Sequence, residues 1–526
     1  MPRCALLFAL VLCGHAAAQC ETATFLAGDG AASDTFGNSV SLWDDRALVT
    51  SIYDDGIGND SGSAYIFERQ GSTWVQAIKL IASDEAEDDR YGHSGAIHGD
   101  QAIVGARYNQ DAGYGSGSAY IYERQGGVWV ETAYLVAATP QPNAFFGQAS
   151  DIENDVAVVS ASIQNGAAGA TQGAVHVFGK QGGNWTETQV LTASDASAGA
   201  RFGSALSMDG NTLVVGARDE SEKGAQAGAA YVFESVGGVW TETAKLTAGD
   251  PEAGALFGAH VAIHGDVITA TALLEDSMGA DTGAVYVFER DGADWVQVAK
   301  LLPDTTASTL FGTAAIWGDT ILVGASFDSQ LGQQSGAVHC FKRIDGVWTR
   351  TGRFTADTTG DLDAFGTAVA LWGTDALISA RNAKNSSGVK AGKAYVFDHV
   401  NDIVPYGAGS PGTGGLVPTL TLAGCPGPGG VLDVDIADGA PGSLAIVFFG
   451  LNQDAWPLVG CTLLTYPLLP LELNLTLDGN GAVSFSGQIP PGFGGTATIQ
   501  LQVFVSDPGG PEGFSSTAAV DLTIGG

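Results

Sequence analysis

The chain has 526 residues, too many for one ordinary core, so several domains or a repeat array is the first expectation. With 22 basic against 57 acidic residues, its surface repels phosphate backbones and anionic lipid, which argues against nucleic-acid and membrane partners. The same excess suits cations, basic partners or a salty medium.

Residues 1–18 read as an export signal. Arg3 gives a basic start, Ala5 to Cys13 is apolar, and Ala16-Ala17-Ala18 is a small-residue cleavage site. Cleavage there leaves Gln19 first; a lipid-anchored start at Cys20 is the alternative. No later stretch approaches the roughly 20 apolar residues of a membrane helix, so no membrane span is expected.

From residue 20 onward one unit recurs. An aromatic-Gly pair stands at Phe36-Gly37, Tyr91-Gly92, Phe146-Gly147, Phe202-Gly203, Phe257-Gly258, Phe311-Gly312 and Phe365-Gly366, in steps of 55, 55, 56, 55, 54 and 54 residues. The fourth copy shows four strand-like pieces: Phe202 to Met208, Leu213 to Ala217, Ala229 to Phe233 and Trp240 to Leu246. Turn signals such as Asp209-Gly210-Asn211 and Gly265-Asp266 separate the first two pieces. The third piece is apolar on both faces and must be covered on both. The fourth alternates like a half-exposed outer strand, and its charges discourage pairing with other chains.

Four strands per unit, radially repeated, make the blade of a β-propeller. Tryptophan marks the outer strand six times, at Trp74, Trp129, Trp185, Trp240, Trp295 and Trp348, while the seventh unit stops at Phe397 without one. Glu21 to Asp29 matches Glu242 to Asp250 position for position, so the first strand is predicted to complete the last blade and close the ring. The tryptophans read as structural glue. The propeller is thus assigned to residues 20–399.

Beyond Lys393 there is no Lys or Arg, and 13 of the 18 prolines lie past residue 400. That shift marks a Gly/Pro linker over residues 400–417 and a C-terminal β-sandwich over 418–526. Strand-length apolar runs there are Thr419 to Ala423, Val431 to Ile436, Leu444 to Phe449, Leu471 to Leu477, Thr498 to Val505 and Ala518 to Ile524, with Asp478-Gly479-Asn480-Gly481 as a hairpin turn. In an exported protein Cys425 and Cys461 are expected to form a disulfide; Cys340, inside an apolar strand, reads as a buried thiol.

The Phe-Gly pairs, the Val-Gly-Ala at Val104-Gly105-Ala106, Val215-Gly216-Ala217 and Val323-Gly324-Ala325, and the Gly-Ala-x-Tyr-Val-Phe run resemble FG-GAP repeats, which build the propeller of integrin α subunits and of many bacterial secreted proteins. The resemblance implies extracellular binding or adhesion, often with calcium in blade loops. The Asp-x-Asp-x-Asp-Gly loop of the calcium-binding members is missing from all seven copies. The nearest approach is in blade one, where Asp54, Asp55, Asn59 and Asp60 are the candidate metal ligands and calcium the one candidate cofactor.

No Gly-x-Ser-x-Gly elbow, His-Glu-x-x-His or phosphate loop occurs, so no catalytic residue is assigned and a non-enzymatic protein is expected. Asp29, Asp84, Asp195, Asp250, Asp304 and Asp357 recur before each first strand and read as turn caps. The sevenfold pattern breaks at His93 and His260, just inside two first strands, and at the acidic run Asp84, Glu85, Glu87, Asp88, Asp89. A histidine beside a carboxylate there could act as acid or base; simple packing is the other reading. The leading expectation is a secreted or cell-surface monomer that binds an extracellular protein or glycan through its loops. A lectin or polysaccharide-processing propeller, which would show a blade-specific aromatic and acidic pocket at the channel mouth, and a structural envelope component are the alternatives.

Overall fold

The computed structural model describes residues 21–397 apart from 57, 72, 345, 357–359 and 386–387, and beyond them the strands of the tail with Ala482. The chain divides into two compact units, one of Ala23–Cys340 with Thr358–Val396, the other holding the tail strands and Phe341–Asp357.

Seven four-stranded antiparallel sheets account for residues 21–397. Blade four is typical: Phe202–Asp209, Thr212–Ala217, Ala229–Val236 and Val239–Leu246 pair in sequence order. Each first strand touches the first strands of its two neighbours, and that of blade seven (Phe365–Trp372) touches that of blade one (Val40–Trp43), so the first strands line a closed central channel. In blade seven, Glu21–Phe25 pairs outside Lys393–Phe397, as the matched sequences predict. The ring is closed by the strand that comes first among the described residues.

The recurring residues have a common physical cause. Each aromatic of the aromatic-Gly pair is buried against an aromatic ring of its own blade's third strand, edge-on in Phe202 with Tyr231 and Phe257 with Tyr286, at 5.5–5.6 Å between ring centres. The glycine that precedes the third strand is set by the next blade. Gly228 has φ +86° and forms a parallel bridge to Phe257, and a Cβ there would lie 2.0 Å from the Phe257 carbonyl oxygen. Gly62, Gly117 and Gly173 stand equally close to their neighbours. Third strands are buried on both faces, and outer strands alternate. Trp129, Trp240 and Trp348 are buried; Arg69 and Arg290 lie over the half-buried Trp74 and Trp295, which supports the structural reading of these rings. Cys340 is a buried thiol and not part of a disulfide.

Apart from Ala482, the tail's described residues are all strand, in sheets of six, three and two strands. Two local expectations fail. Ile403–Tyr406, within the span assigned to the linker, is a strand at the edge of the six-stranded sheet, where Pro405 costs no ladder bond that an inner strand would need. Strands Leu468–Thr476 and Val483–Gln488, on either side of Asp478-Gly479-Asn480-Gly481, pair with Leu444–Gly450 and Val431–Ala437 and not with each other. Turn chemistry marks a chain reversal but not the partner chosen after it. Residues 1–20 with the signal and Cys20, residue Cys425 and the side chain of Cys461 lie outside the described residues, as does the sandwich packing. No described helix is long and apolar enough to cross a membrane.

Candidate functional site

The acids that recur before each first strand do more than cap turns. Asp29, Asp195 and Asp250 accept the hydroxyl of Tyr65, Tyr231 and Tyr286 at 2.9, 2.7 and 2.8 Å, and each meets the ammonium of the adjacent outer strand, Lys79, Lys245 or Lys300. Hydrogen bonds from lysine and tyrosine overcome desolvation and hold these three carboxyls below their ordinary range. Asp84 accepts from Tyr120 at 2.6 Å, but Tyr134 takes the lysine position. Asp357 lies outside the described residues. The tyrosine stands 36 residues from its acid, too far for a local reading to find.

This cluster decides the fate of the candidate metal loop. Asp54 is buried, and its carboxylate receives Lys79 at 2.9 and 3.0 Å and the Tyr65 hydroxyl at 2.8 Å. Asp55 accepts the Asp60 amide, and the Asn59 carbonyl accepts from the Asp88 amide. An ammonium already neutralises Asp54, the one buried carboxylate of the four, which is poorly suited to a calcium ion. Asp195, Glu220 and Glu222 also come together, around Lys245. Asp304, Asp328 and His339 form the counterpart in blade six, with His339 at the tyrosine position. In the acidic run, Asp89 is buried and pushed up to about 6 by burial and the charge of Asp84, while Glu85 accepts from Ser61.

The two mouths of the central channel differ. At the mouth beside the first-to-second strand hairpins, the last channel-facing residues make an aromatic arc. His264 stacks on Trp317 at 4.2 Å, Trp317 meets Trp372 at 4.1 Å, Trp372 meets Trp43 at 5.2 Å, and Trp43 meets His98 at 5.4 Å. Glu153 and Asp209, at the same repeat position in blades three and four, complete the circuit. One layer deeper, Asp151 accepts the amides of Ile152 and Met208, and burial raises its carboxyl to about 7.

The loop-side mouth carries cations. Arg90 lies over Tyr53 and Tyr108 (5.2 and 4.6 Å), and Arg107 lies over the other neighbours of that stack, Tyr108 and Phe145 (4.9 and 5.7 Å). Arg107 also donates to Gln148 of the next first strand at 2.9 Å. Burial, together with repulsion from Arg90 and Arg218, pulls the Arg107 guanidinium below its ordinary value. His93 and His260 sit in this field. Burial and the charges of Arg107 and Arg90 press His93 down to about 3, and burial with Arg218 presses His260 to about 4. Both imidazoles are neutral near pH 7, and among the described residues no carboxylate partners either, so the acid–base pairing is not present. The histidines point to the mouth from sequence alone; the arginines do not, because Arg107 and Arg218 follow different blades' second strands and nothing in the sequence marks them as neighbours across a channel.

An FG-GAP repeat family model matches residues 20–67, 74–122, 129–178, 185–233, 240–288, 295–341 and 348–397. The chain belongs to the FG-GAP repeat family. No curated protein matches it. Among solved structures it is similar to an acylaminoacyl peptidase in complex with Z-Gly-Gly-Phe-chloromethyl ketone (8% identity, TM-score 0.39, 77% of this chain and 58% of the other). It is also similar to the β-propeller domain of the Trilobed protease from Pyrococcus furiosus (8% identity, TM-score 0.38, 68% and 94%). A third is the Pyrococcus horikoshii acylaminoacyl peptidase (8% identity, TM-score 0.38, 78% and 61%). The chain spans about three fifths of the length of these peptidases. This FG-GAP propeller therefore presents two unlike axial mouths on a ring of like blades.

Proposed function

We propose that this FG-GAP protein is an exported, non-enzymatic recognition protein that binds an extracellular ligand at the loop face of its propeller. What carries the reading is the break in sevenfold pattern at the loop-side mouth, where Tyr53, Arg90, Tyr108, Arg107 and Phe145 stack across blades one to three. A scaffold that only filled space would have no need to differ there, and function on such folds is borne by loops on a rigid frame. Tyr114, at the tip of the blade-two loop, is 65% exposed and offers an aromatic contact beside the mouth. Binding of the mature protein to glycan and envelope-protein arrays tests this. A ligand whose binding weakens tenfold or more in Tyr114→Ala is expected; ligands indifferent to every loop-face substitution would overturn it.

The lectin reading also has an observation in its favour, the aromatic arc with Glu153 and Asp209 at the opposite mouth. Indole faces and carboxylates are the usual contacts for a sugar's C–H face and hydroxyls. Array binding abolished by Trp372→Ala but untouched by Tyr114→Ala would favour it.

A further inference from the structure

We propose that the loop-side mouth captures a single carboxylate on an otherwise uncharged small molecule, with Arg107, Arg218 and Arg90 as its ligands.

The chain carries a formal net charge of −35, and several basic side chains are taken up by acids: Arg46 by Asp45, Arg69 by Asp375, Arg124 by Glu68, Lys180 by Glu123, Arg201 by Asp219, Arg290 by Glu234. Arg90, Arg107 and Arg218 have no ion-pair partner among the described residues. Instead Arg107 is repelled by both Arg90 and Arg218, and the Nε of each is buried without a hydrogen-bond acceptor, as is Nδ1 of His93; Arg46 shares the unmet Nε but has Asp45 on its outer nitrogens. Leaving a buried donor unmade is costly, and so is holding like charges together. In a protein with so many spare carboxylates, that arrangement points to an acceptor supplied from outside.

The shape of the site narrows the ligand. Arg90 and Arg107 both lie over Tyr108, and Arg107 also lies over Phe145, so the rings hold these two guanidinium planes in place. A guanidinium edge matches a planar carboxylate with two parallel hydrogen bonds. A polyanion would bring further charges against a strongly acidic surface and lose by repulsion what it gained at the mouth. One carboxylate on a neutral body meets the cations without that loss.

Carboxylate capture rests on loop-face recognition but fails separately from it. Calorimetric titration of the mature full chain with sodium glucuronate, with glucose as the uncharged counterpart, is the direct test. Glucuronate is expected to bind and glucose not to, with affinity falling at least tenfold in Arg107→Gln and Arg218→Gln and unchanged in Arg290→Gln, which removes the same charge elsewhere. On wild-type protein, the His93 and His260 imidazole resonances should move with glucuronate and not with glucose, a readout that stands even if a variant fails to fold. Silent titrations and unmoved imidazoles would overturn the inference, as would equal binding by Arg107→Gln. So would a polyuronate binding more tightly per carboxylate than the monomer. An array ligand that depends on Tyr114 but not on the arginines would keep the recognition reading and remove this one.

Discussion

Substituting Gly228 by alanine tests whether the glycine before each third strand is demanded by the neighbouring blade. At φ +86° a side chain is strained by about 1–3 kcal/mol whatever surrounds it. The added Cβ would also lie 2.0 Å from the carbonyl oxygen and 2.5 Å from the nitrogen of Phe257, both backbone atoms that a rotamer change cannot move. Relief requires the two blades to part at the point where Phe257 donates its amide to Ala227, and forced repacking of this kind costs about 1–3 kcal/mol more. Gly237→Ala supplies the comparison, because Gly237 has φ +61° with nothing within 4 Å of where its methyl would stand, and so isolates the backbone cost. In urea titrations followed by tryptophan fluorescence, with a slope near ~3 kcal/mol/M, Gly228→Ala should lower the midpoint by about 1–2 M and Gly237→Ala by less than about half of that. Equal midpoints for the two variants would refute the claim that contact between blades selects this glycine.

Phe25 is 2% exposed and stacks on Phe67 at 4.1 Å, so Phe25→Ala should cost about 3–5 kcal/mol, measurable in the same titration, although it lies outside the six tryptophan-marked copies. His93 has its folded value pressed to about 3 against about 6.5 unfolded, so the unfolded chain takes up the proton first. Its contribution is present above pH ~6.5 and lost as the pH falls toward about 3, and His93→Gln should therefore soften the loss of stability between about pH 7 and 5. Asp151, raised to about 7, acts in the opposite sense, contributing most at low pH and less as the pH rises through about 7, which is why the difference between variant and wild type is the quantity to measure. Because Lys79 already neutralises Asp54, Asp54→Asn should leave any difference between melting temperatures in excess calcium and in EDTA unchanged; a calcium-dependent rise abolished by Asp54→Asn would refute that placement.

The ring was legible because its causes are local and repeated. The Phe-Gly step, the doubly apolar third strand and the match of Glu21–Asp29 to Glu242–Asp250 each report a contact built into the repeat, so the blade number and the closing strand follow from counting. The site was legible only in part. His93 stood out as a break in the pattern, but its neighbours Arg107 and Arg218 are made so by curvature, two blades apart, and a lone arginine after a strand carries no mark of what faces it. The acids before each first strand were visible, whereas their tyrosine and lysine partners were not, since they lie 36 and 50 residues further along the same unit. In the tail, where no unit repeats, apolar runs located the strands, but partners such as those of Leu468–Thr476 depend on long-range choices that turn residues do not encode.

The closing strand also sets an order of events in time. Glu21–Phe25 leaves the ribosome before any other described segment, yet its partner Lys393–Phe397 is among the last of the ring to follow. Six blades can form from neighbouring sequence as the chain lengthens, while the seventh waits with its strands divided between the two ends. Joining the most distant segments carries the largest loop-closure cost in the ring, which favours its coming last. Until then both free edges remain open to other chains, so the interval before closure is when this protein is most exposed to misassembly.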